Sequence, residues 1–199
     1  MKKLSLILIS FIFILKIAHA NSYNSDPEIF VSELVNDAIS KLSDKNLSKE
    51  EKSAFIENVA AENVDIHALG LYTLGELRKS IDKNILENYQ TTFKKYFLKS
   101  LTSRLTDYSS NKFEIINAEK KSSNYTIVKS KIIANNNQPE IKIDWRVYTK
   151  NPDKPLIRDL IVEGLSLART QKEEFSSILN SNNNDINILI SKLEEFINS

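Results

Sequence analysis

The 199-residue sequence contains no cysteine, which excludes disulfide bonds, thiolate catalysis and cysteine-based zinc or iron–sulfur sites. Its three glycines, Gly70, Gly75 and Gly164, are too few and too far apart to form a glycine-rich phosphate-binding loop. It has two histidines, and only His67 lies outside the first 20 residues. A histidine metal site or a Ser-His-Asp triad would therefore depend on one residue. We expect no metal ion and no cofactor.

An excess of charge of one sign is also missing. The chain has 27 Lys and Arg against 26 Asp and Glu, and residues 1–20 hold three lysines and no acidic residue. Residues 21–199 therefore carry 24 basic and 26 acidic side chains, a net charge of −2. Nucleic-acid binding needs a concentrated basic patch, so we expect no nucleic-acid partner. The share of hydrophobic residues, 41%, is that of a globular protein.

The N-terminus has the pattern of a secretion signal. Two lysines at positions 2 and 3 precede an apolar run over residues 4–15, and Ala18 and Ala20 have the spacing of a signal-peptidase site. The run is short for a membrane span, which needs about 20 residues. We therefore predict a signal peptide over residues 1–20, cleavage after Ala20 and a soluble exported protein, and the lack of disulfides is compatible with a bacterial periplasm. The alternative is a retained membrane anchor.

Residues 26–108 have the hydrophobic period of helices. An Asp-Pro pair at 26–27 predicts the start of a first helix, and the capping box Ser-Lys-Glu-Glu at 48–51 predicts the start of a second. A short third helix is predicted over 65–78. The longest helix is predicted from about 80 to 107, with an apolar residue at every fourth position: Ile81, Ile85, Tyr89, Phe93, Phe97, Leu101 and Leu105. This wide aromatic stripe must be buried against another element.

The period changes to two after residue 112. Strands are predicted over residues 112–120, 124–134, 141–148 and 156–167. The third strand has the clearest alternation, with Ile141, Ile143, Trp145 and Val147 on one face and polar residues on the other. Turn-forming residues at 135–138 and 151–154 link the strands closely, which predicts an antiparallel meander.

A second helical part follows the strands. A Thr-Gln-Lys-Glu capping box at 170–173 predicts its start, and three asparagines at 182–184 separate two short helices. The predicted fold class is α+β, with one domain over residues 21–199 around a four-stranded antiparallel sheet, with room for one more short strand. Its parts are a helical region at about 26–108, a sheet at about 112–167 and C-terminal helices at about 171–197.

Acidic residues on the predicted strands are the remaining candidates for general bases. Asp144 lies among basic residues on the polar face of its strand, so ion pairing explains it. Asp159 and Glu163 are predicted to share a face with Ile157, Ile161 and Leu165, where an unpaired carboxylate would be costly. The candidates for a basic partner are Arg158, Arg169 and Lys172. A structural ion pair, a ligand contact and a catalytic role all stay open for these two carboxylates.

Three segments resemble the C-terminal signature of the MlaC family of periplasmic phospholipid-binding proteins, also called toluene-tolerance auxiliary proteins. They are 141–147 (IKIDWRV), 158–167 (RDLIVEGLSL) and 172–175 (KEEF). Leu74-Gly75, Arg78-Lys79 and the long helix with Phe93 are similar to the Leu-Gly motif and the Phe-rich helix of that family. The resemblance extends over about 27–197.

The resemblance implies a curved sheet of the nuclear-transport-factor-2-like type, wrapped by N- and C-terminal helices around a pocket for phospholipid acyl chains. It implies a soluble carrier without enzymatic activity that moves phospholipid between an outer-membrane lipoprotein complex and an inner-membrane ABC transporter complex, and so maintains outer-membrane lipid asymmetry. We expect a monomer. The side chains that we place at the pocket are Leu74, Leu77, Phe93, Phe97, Leu101, Ile127, Ile143, Trp145, Val147, Ile161 and Leu165.

Two other classes of function stay open on the residues alone. An exported enzyme on a similar cone-shaped fold would use Asp159 or Glu163 as its base and would have a polar-lined pocket. An interaction module that binds no lipid would have a solid core. Hydrophobic periodicity does not distinguish a filled core from one that opens into a cavity.

Overall fold

The computed structural model describes residues 23–106, 112–133 and 139–199. The helices in these ranges are α1 (Pro27–Ser43), α2 (Lys49–Asn63), α3 (Ile66–Thr73), α4 (Lys83–Leu105), α5 (Leu167–Asn180) and α6 (Ile186–Asn198), with a 3-10 turn at Gly75–Lys79. The strands are β1 (Phe113–Ser122), β2 (Tyr125–Ile132), β3 (Ile141–Tyr148), β4 (Leu156–Val162) and β5 (Leu165–Ser166). The predicted α+β class is confirmed. The predicted signal peptide and the turn at 135–138 lie outside the described residues.

Local capping signals predicted the first two helix starts correctly. The Asp26 side chain accepts hydrogen bonds from the backbone N–H groups of Glu28 and Ile29, and Ser48 forms the complete capping box with Glu51. The longest helix begins at Lys83 and not near residue 80, because the Asp82 side chain caps it through the backbone of residues 84 and 85.

The predicted third helix is divided in two. α3 ends at Thr73, and the backbone of Gly75 has φ = +56°, which a helix cannot continue. The following turn at Gly75–Lys79 is of the 3-10 type. Arg78 Nη1 closes this corner by donating to the Gly75 carbonyl oxygen at 2.7 Å.

The five strands form one antiparallel sheet in chain order. The prediction of a single fourth strand over 156–167 is wrong, because Glu163 and Gly164 adopt left-handed conformations (φ = +49° and +82°) and turn the chain back into β5. The prediction that Thr170 caps the next helix is also wrong. Ser166 caps α5, since its Oγ accepts from the Arg169 N–H at 3.0 Å.

A β-bulge changes the faces of β4. Arg146 is opposite Asp159 and Val147 is opposite Ile157, so Arg158 is an extra residue in the strand. Cross-strand partners lie on the same face, and Arg146 and Val147 point to opposite faces. Asp159 and Ile157 therefore do not share a face, and the prediction that they do is wrong.

We call the sheet face that carries Val128, Trp145 and Val147 the inner face, and the opposite one the outer face. α1 covers part of the inner face and forms the sheet core with it: Phe30, Val31, Leu34, Val128, Trp145, Val147 and Ile157. Helices α3 to α6 form a separate helical core: Ile66, Leu74, Tyr89, Phe93, Phe175, Leu179, Ile186, Leu189, Ile190 and Leu193. Val64, between α2 and α3, packs against both cores.

None of the helices in the described residues is long and apolar enough to cross a bilayer.

Candidate functional site

The inner face is closed at one end and open at the other. At the closed end Val128 and Val147 are fully buried, and Trp145 and Ile157 are at most 8% exposed. The open end consists of half-buried apolar side chains on four strands: Phe113, Ile115, Ile132, Ile141, Ile143, Leu160 and Val162. The register places all of them on the inner face. This contiguous, half-buried apolar surface is a candidate binding surface.

The apolar stripe of α4 is buried in the middle of the helix and half-buried at Ile85 and towards its C-terminal end. Tyr89 and Phe93 are buried in the helical core, whereas Phe97, Leu101 and Leu105 are half-buried. The C-terminal end of α4 is connected to the start of β1, at the open end of the sheet, by residues 106–112. Eight residue steps reach at most about 28 Å.

The sequence-predicted site residues fall into five places. Ile143, Trp145 and Val147 lie on the inner face. Leu74 and Phe93 belong to the helical core, and Leu77 and Phe97 pack against it. Leu101 is on the half-buried part of α4, and Leu165 lies at the rim of the sheet. Ile127 and Ile161 lie on the outer face.

The structure brings these residues together only in part. The helical and sheet cores are separate clusters, and α4 packs on α2, α3 and α6. Ile127 is opposite Arg146 and Ile161 is opposite Asp144, so neither of them joins the group around Trp145. The bulge at Arg158 explains why Ile161 was placed with that group, since counting by two along β4 gives the wrong face.

Sequence reasoning missed several residues of the open end. Phe113 and Ile115 alternate with Glu114 on β1, and this period of two could have placed them on the inner face. Ile132 and Ile141 are in register with Phe113, which follows only from the hairpin pairing. Val162 was missed because the bulge at Arg158 puts it on the inner face, whereas counting by two along β4 puts it on the outer one.

The polar groups around Trp145 on the inner face satisfy each other. The Trp145 indole N–H donates to Ser130 Oγ at 2.8 Å, and the Ser130 hydroxyl donates to the Ile143 carbonyl oxygen at 2.8 Å. Ser130 is fully buried. These groups need no hydrogen bond from a ligand, so what the inner face offers to a ligand is hydrocarbon surface.

Two consecutive residues of the bulge attach the helices to the outer face of the sheet. The Arg158 side chain binds the Asp65 carboxylate at the start of α3 and donates to the Tyr125 hydroxyl at 2.9 Å. The Asp159 carboxylate accepts from the Ser166 hydroxyl at 2.7 Å and from the Ala168 N–H at 3.0 Å. The Asp65 N–H also donates to the Ile157 carbonyl oxygen at 2.9 Å. The helical layer is therefore fastened along β4.

The two candidate general bases have structural partners. Asp159 is buried, and its ion-pair partner is Arg146 at 3.6 Å, not one of the three predicted basic residues. Glu163 is exposed, and its carboxylate accepts a hydrogen bond from the Lys142 backbone N–H. Both oxygens of Asp159 are already hydrogen-bonded within the fold. These bonds attach α5 and the turn after β4 to the sheet.

The outer face is charged. Lys129 Nζ lies 2.5 Å from a Glu119 carboxylate oxygen, and Lys121 pairs with the same carboxylate. These two ammonium groups lower the pKa of Glu119 to about 2. Lys131 bridges Glu114 and Glu140 at 3.7 and 3.3 Å. This face therefore offers solvated ion pairs and little surface for an apolar ligand.

Two surface hollows lie on this side of the molecule. The hollow of about 240 Å³ lies between α3, α5 and the outer face, with Tyr72, Arg146 and Arg158 in its lining. The hollow of about 560 Å³ follows α5 and is lined mainly by charged and hydroxyl side chains. The first is smaller than the 300–1,000 Å³ usual for organic ligands, and the second is polar. Neither matches an acyl-chain site.

The sheet therefore has a charged outer face that is fastened to the helical layer and an apolar inner face that is buried at one end and half-buried at the other. The family model described as MlaC protein matches residues 32–195. The chain therefore belongs to the MlaC family, and the resemblance in its C-terminal segments is confirmed.

A solved structure has the same fold. It is the phospholipid-binding protein from Ralstonia solanacearum in complex with a phospholipid, which is 18% identical in sequence with a TM-score of 0.68. The match covers 84% of this chain and 94% of that one. A comparison with curated protein sequences gave no match.

Proposed function

We propose that this protein is a periplasmic phospholipid carrier that holds acyl chains against the open end of the inner face. The observation that carries this proposal is the gradient of exposure from buried Val147 to half-buried Ile141 along one strand face. The phospholipid in the related Ralstonia protein supports the class of ligand. We propose that the C-terminal half of α4, with Phe97 and Leu101, covers the chains from the other side.

A carrier is needed because acyl chains do not cross water unaided. Each buried methylene contributes about 0.8 kcal/mol, so two chains with roughly thirty methylenes lose on the order of 20 kcal/mol on exposure to water. A carrier needs an apolar surface that closes over the chains and no reacting group. The satisfied polar groups around Trp145 and the hydrogen-bonded carboxylate of Asp159 agree with such a role.

The empty site is expected to be narrower than the loaded one. An apolar cavity that cannot collapse costs about 24 cal/mol per Å³, so an empty site of several hundred Å³ would be strongly destabilising. The helical and sheet cores are separate clusters joined at Val64, which pairs with Ile157 of β4, so the protein can widen between the two cores on the side away from this junction. The polar fastening at Arg158 and Asp159 keeps the layers joined along β4 while the opposite side opens.

We further propose that residues 21–199 form the mature domain after removal of a signal peptide. The Tyr23 ring packs edge-on against Phe30, and its hydroxyl donates to Asp37 at 2.8 Å. The folded domain is thus anchored from the third residue after the proposed cleavage site. Membership of the family supports delivery to an inner-membrane ABC transporter complex and exchange with an outer-membrane lipoprotein complex.

Organic extraction of the purified protein, followed by mass spectrometry, tests the proposed ligand. The protein should be expressed with its full leader and isolated from the periplasm without detergent. We expect phospholipid in near-stoichiometric amount. Extracts that hold no more phospholipid than those of an unrelated periplasmic protein purified in parallel would contradict the proposal.

A further inference from the structure

Leu165 extends the open end of the inner face beyond β4. It is paired with Val162, and Val162 is paired with Ile143. Because cross-strand partners share a face, Leu165 continues this inner-face row onto β5. Its side chain is 69% exposed, more than any other large apolar side chain among the described residues.

The turn that carries Leu165 is fixed to the neighbouring strand at two points. The Glu163 backbone N–H donates to the Lys142 carbonyl oxygen at 3.0 Å, and the Glu163 carboxylate accepts from the Lys142 N–H. Glu163 has φ = +49°, a conformation that disfavours residues with a Cβ. The side-chain hydrogen bond compensates for this backbone conformation, so the turn holds the exposed leucine in a defined place.

We propose that Leu165 is a lip at the mouth of the acyl site, over which phospholipid chains pass during loading and release, and that Glu163 is its positioning residue. The inference rests on the proposed carrier function. An acyl chain that leaves the inner face must pass through water before it reaches an acceptor. Every methylene that is exposed to water on the way raises the free-energy barrier to transfer. An apolar side chain fixed at the rim shields part of the chain in transit and lowers that barrier.

The experiment measures transfer of a fluorescent phospholipid from loaded protein to vesicles of equal parts phosphatidylcholine and phosphatidylglycerol. Leu165→Ser should slow transfer about tenfold, the effect of shielding between one and two methylenes. The matched control is Ile116→Ser, which removes a 53% exposed apolar side chain from β1 and should transfer at the wild-type rate. Both variants should unfold thermally near the wild-type temperature, because both side chains are exposed.

Glu163 supplies a second, independent pair of variants. Glu163→Ala removes the acceptor for the Lys142 N–H and should slow transfer as Leu165→Ser does. Glu163→Gln keeps a side-chain oxygen for that hydrogen bond and should restore most of the wild-type rate. If Leu165→Ser fails to fold, the comparison of Glu163→Ala with Glu163→Gln decides whether Leu165 has the proposed role.

The outcomes distinguish the proposed role of Leu165 from the proposed carrier function. Wild-type rates in Leu165→Ser and Glu163→Ala, with lipid bound to the wild-type protein, would overturn the lip alone. Faster release from Leu165→Ser would also overturn it, because Leu165 would then belong to the resting binding surface. Wild-type protein that cannot be loaded with phospholipid would contradict the carrier function itself.

Discussion

Arg158, the extra residue in the bulge of β4, binds Asp65 through two nitrogens. Nε and Nη2 lie 2.8 and 2.7 Å from the same carboxylate oxygen of Asp65. The other oxygen of Asp65 accepts from the Ala68 N–H and caps α3. The guanidinium also stacks on the Tyr148 ring, with 3.4 Å between its carbon and the ring centroid. One carboxylate thus starts a helix and fastens it to the sheet.

Asp65→Ala should therefore lower the free energy of unfolding by about 3 kcal/mol. The loss combines a helix cap, about 1 kcal/mol, with a partly buried charged hydrogen bond, about 2 kcal/mol. The measurement is urea denaturation followed by circular dichroism. Asp185→Ala, which removes the cap of α6 and a local hydrogen bond from the Asn187 side-chain amide, is the control and should cost about 1 kcal/mol. Equal losses for the two variants would show that the bond to Arg158 contributes little.

Ser166→Ala should destabilise the protein by about 1–2 kcal/mol, since it removes the cap of α5 and one hydrogen bond to Asp159. Thr170→Ala should cost about 0.5 kcal/mol, because Thr170 Oγ1 only donates to the Ser166 carbonyl oxygen within the helix. Thermal unfolding of both variants compares the two positions. A larger loss at Thr170 would restore the sequence-based prediction that it is the cap.

Tyr89 should make the protein sensitive to alkaline pH. Burial raises the pKa of its hydroxyl, which shares a 2.7 Å hydrogen bond with Thr73 Oγ1. A pKa raised in the folded state gives stability that is complete below the unfolded pKa of about 10 and is lost as the pH rises above it. Tyr89→Phe should thus lose less stability than wild type between about pH 10 and 11 in urea titrations. If the wild-type protein and Tyr89→Phe lose stability in parallel as the pH rises, Tyr89 is not the source of the alkaline sensitivity.

The covering role of α4 can be tested with two half-buried residues on the same stripe. Leu101→Asn puts an amide on the part of α4 that we propose covers the open end, and such a group is costly against acyl chains. Ile85→Asn makes the same kind of change at the opposite end of α4, where the side chain packs against the helical core. Phospholipid recovered per protein should fall at least tenfold for Leu101→Asn and stay near wild type for Ile85→Asn. Equal recovery from both folded variants would remove α4 from the site.

The fold could be predicted where local chemistry decides the backbone. The Asp26-Pro27 pair and the Ser48 capping box carry their own hydrogen-bond partners, and the alternation around Trp145 marks one strand face. The bulge at Arg158 and the left-handed turn at Glu163 could not be predicted from the hydrophobic period of the sequence. Both depend on partners distant in sequence, Asp65 and Lys142 among them.

The site was predicted less completely than the fold, for the same reason. Ile143 and Leu101 have the same pattern in the sequence whether their surroundings are filled or open. Which apolar residues stay half-buried is decided by how far α1 extends over the inner face, and no local pattern reports that distance. Ile161 shows the consequence, since one inserted residue moved it to the outer face.

Photolabelling with a phospholipid that carries a diazirine on an acyl chain tests the central claim most directly. Loaded protein is irradiated and digested, and the modified peptides are identified by mass spectrometry. We predict labels on the open end of the inner face, at residues 141–145 and 160–162, and on α4 at residues 97–105. Labels confined to α5 or to the charged outer face around Lys129, or no crosslink from a loaded protein, would contradict it.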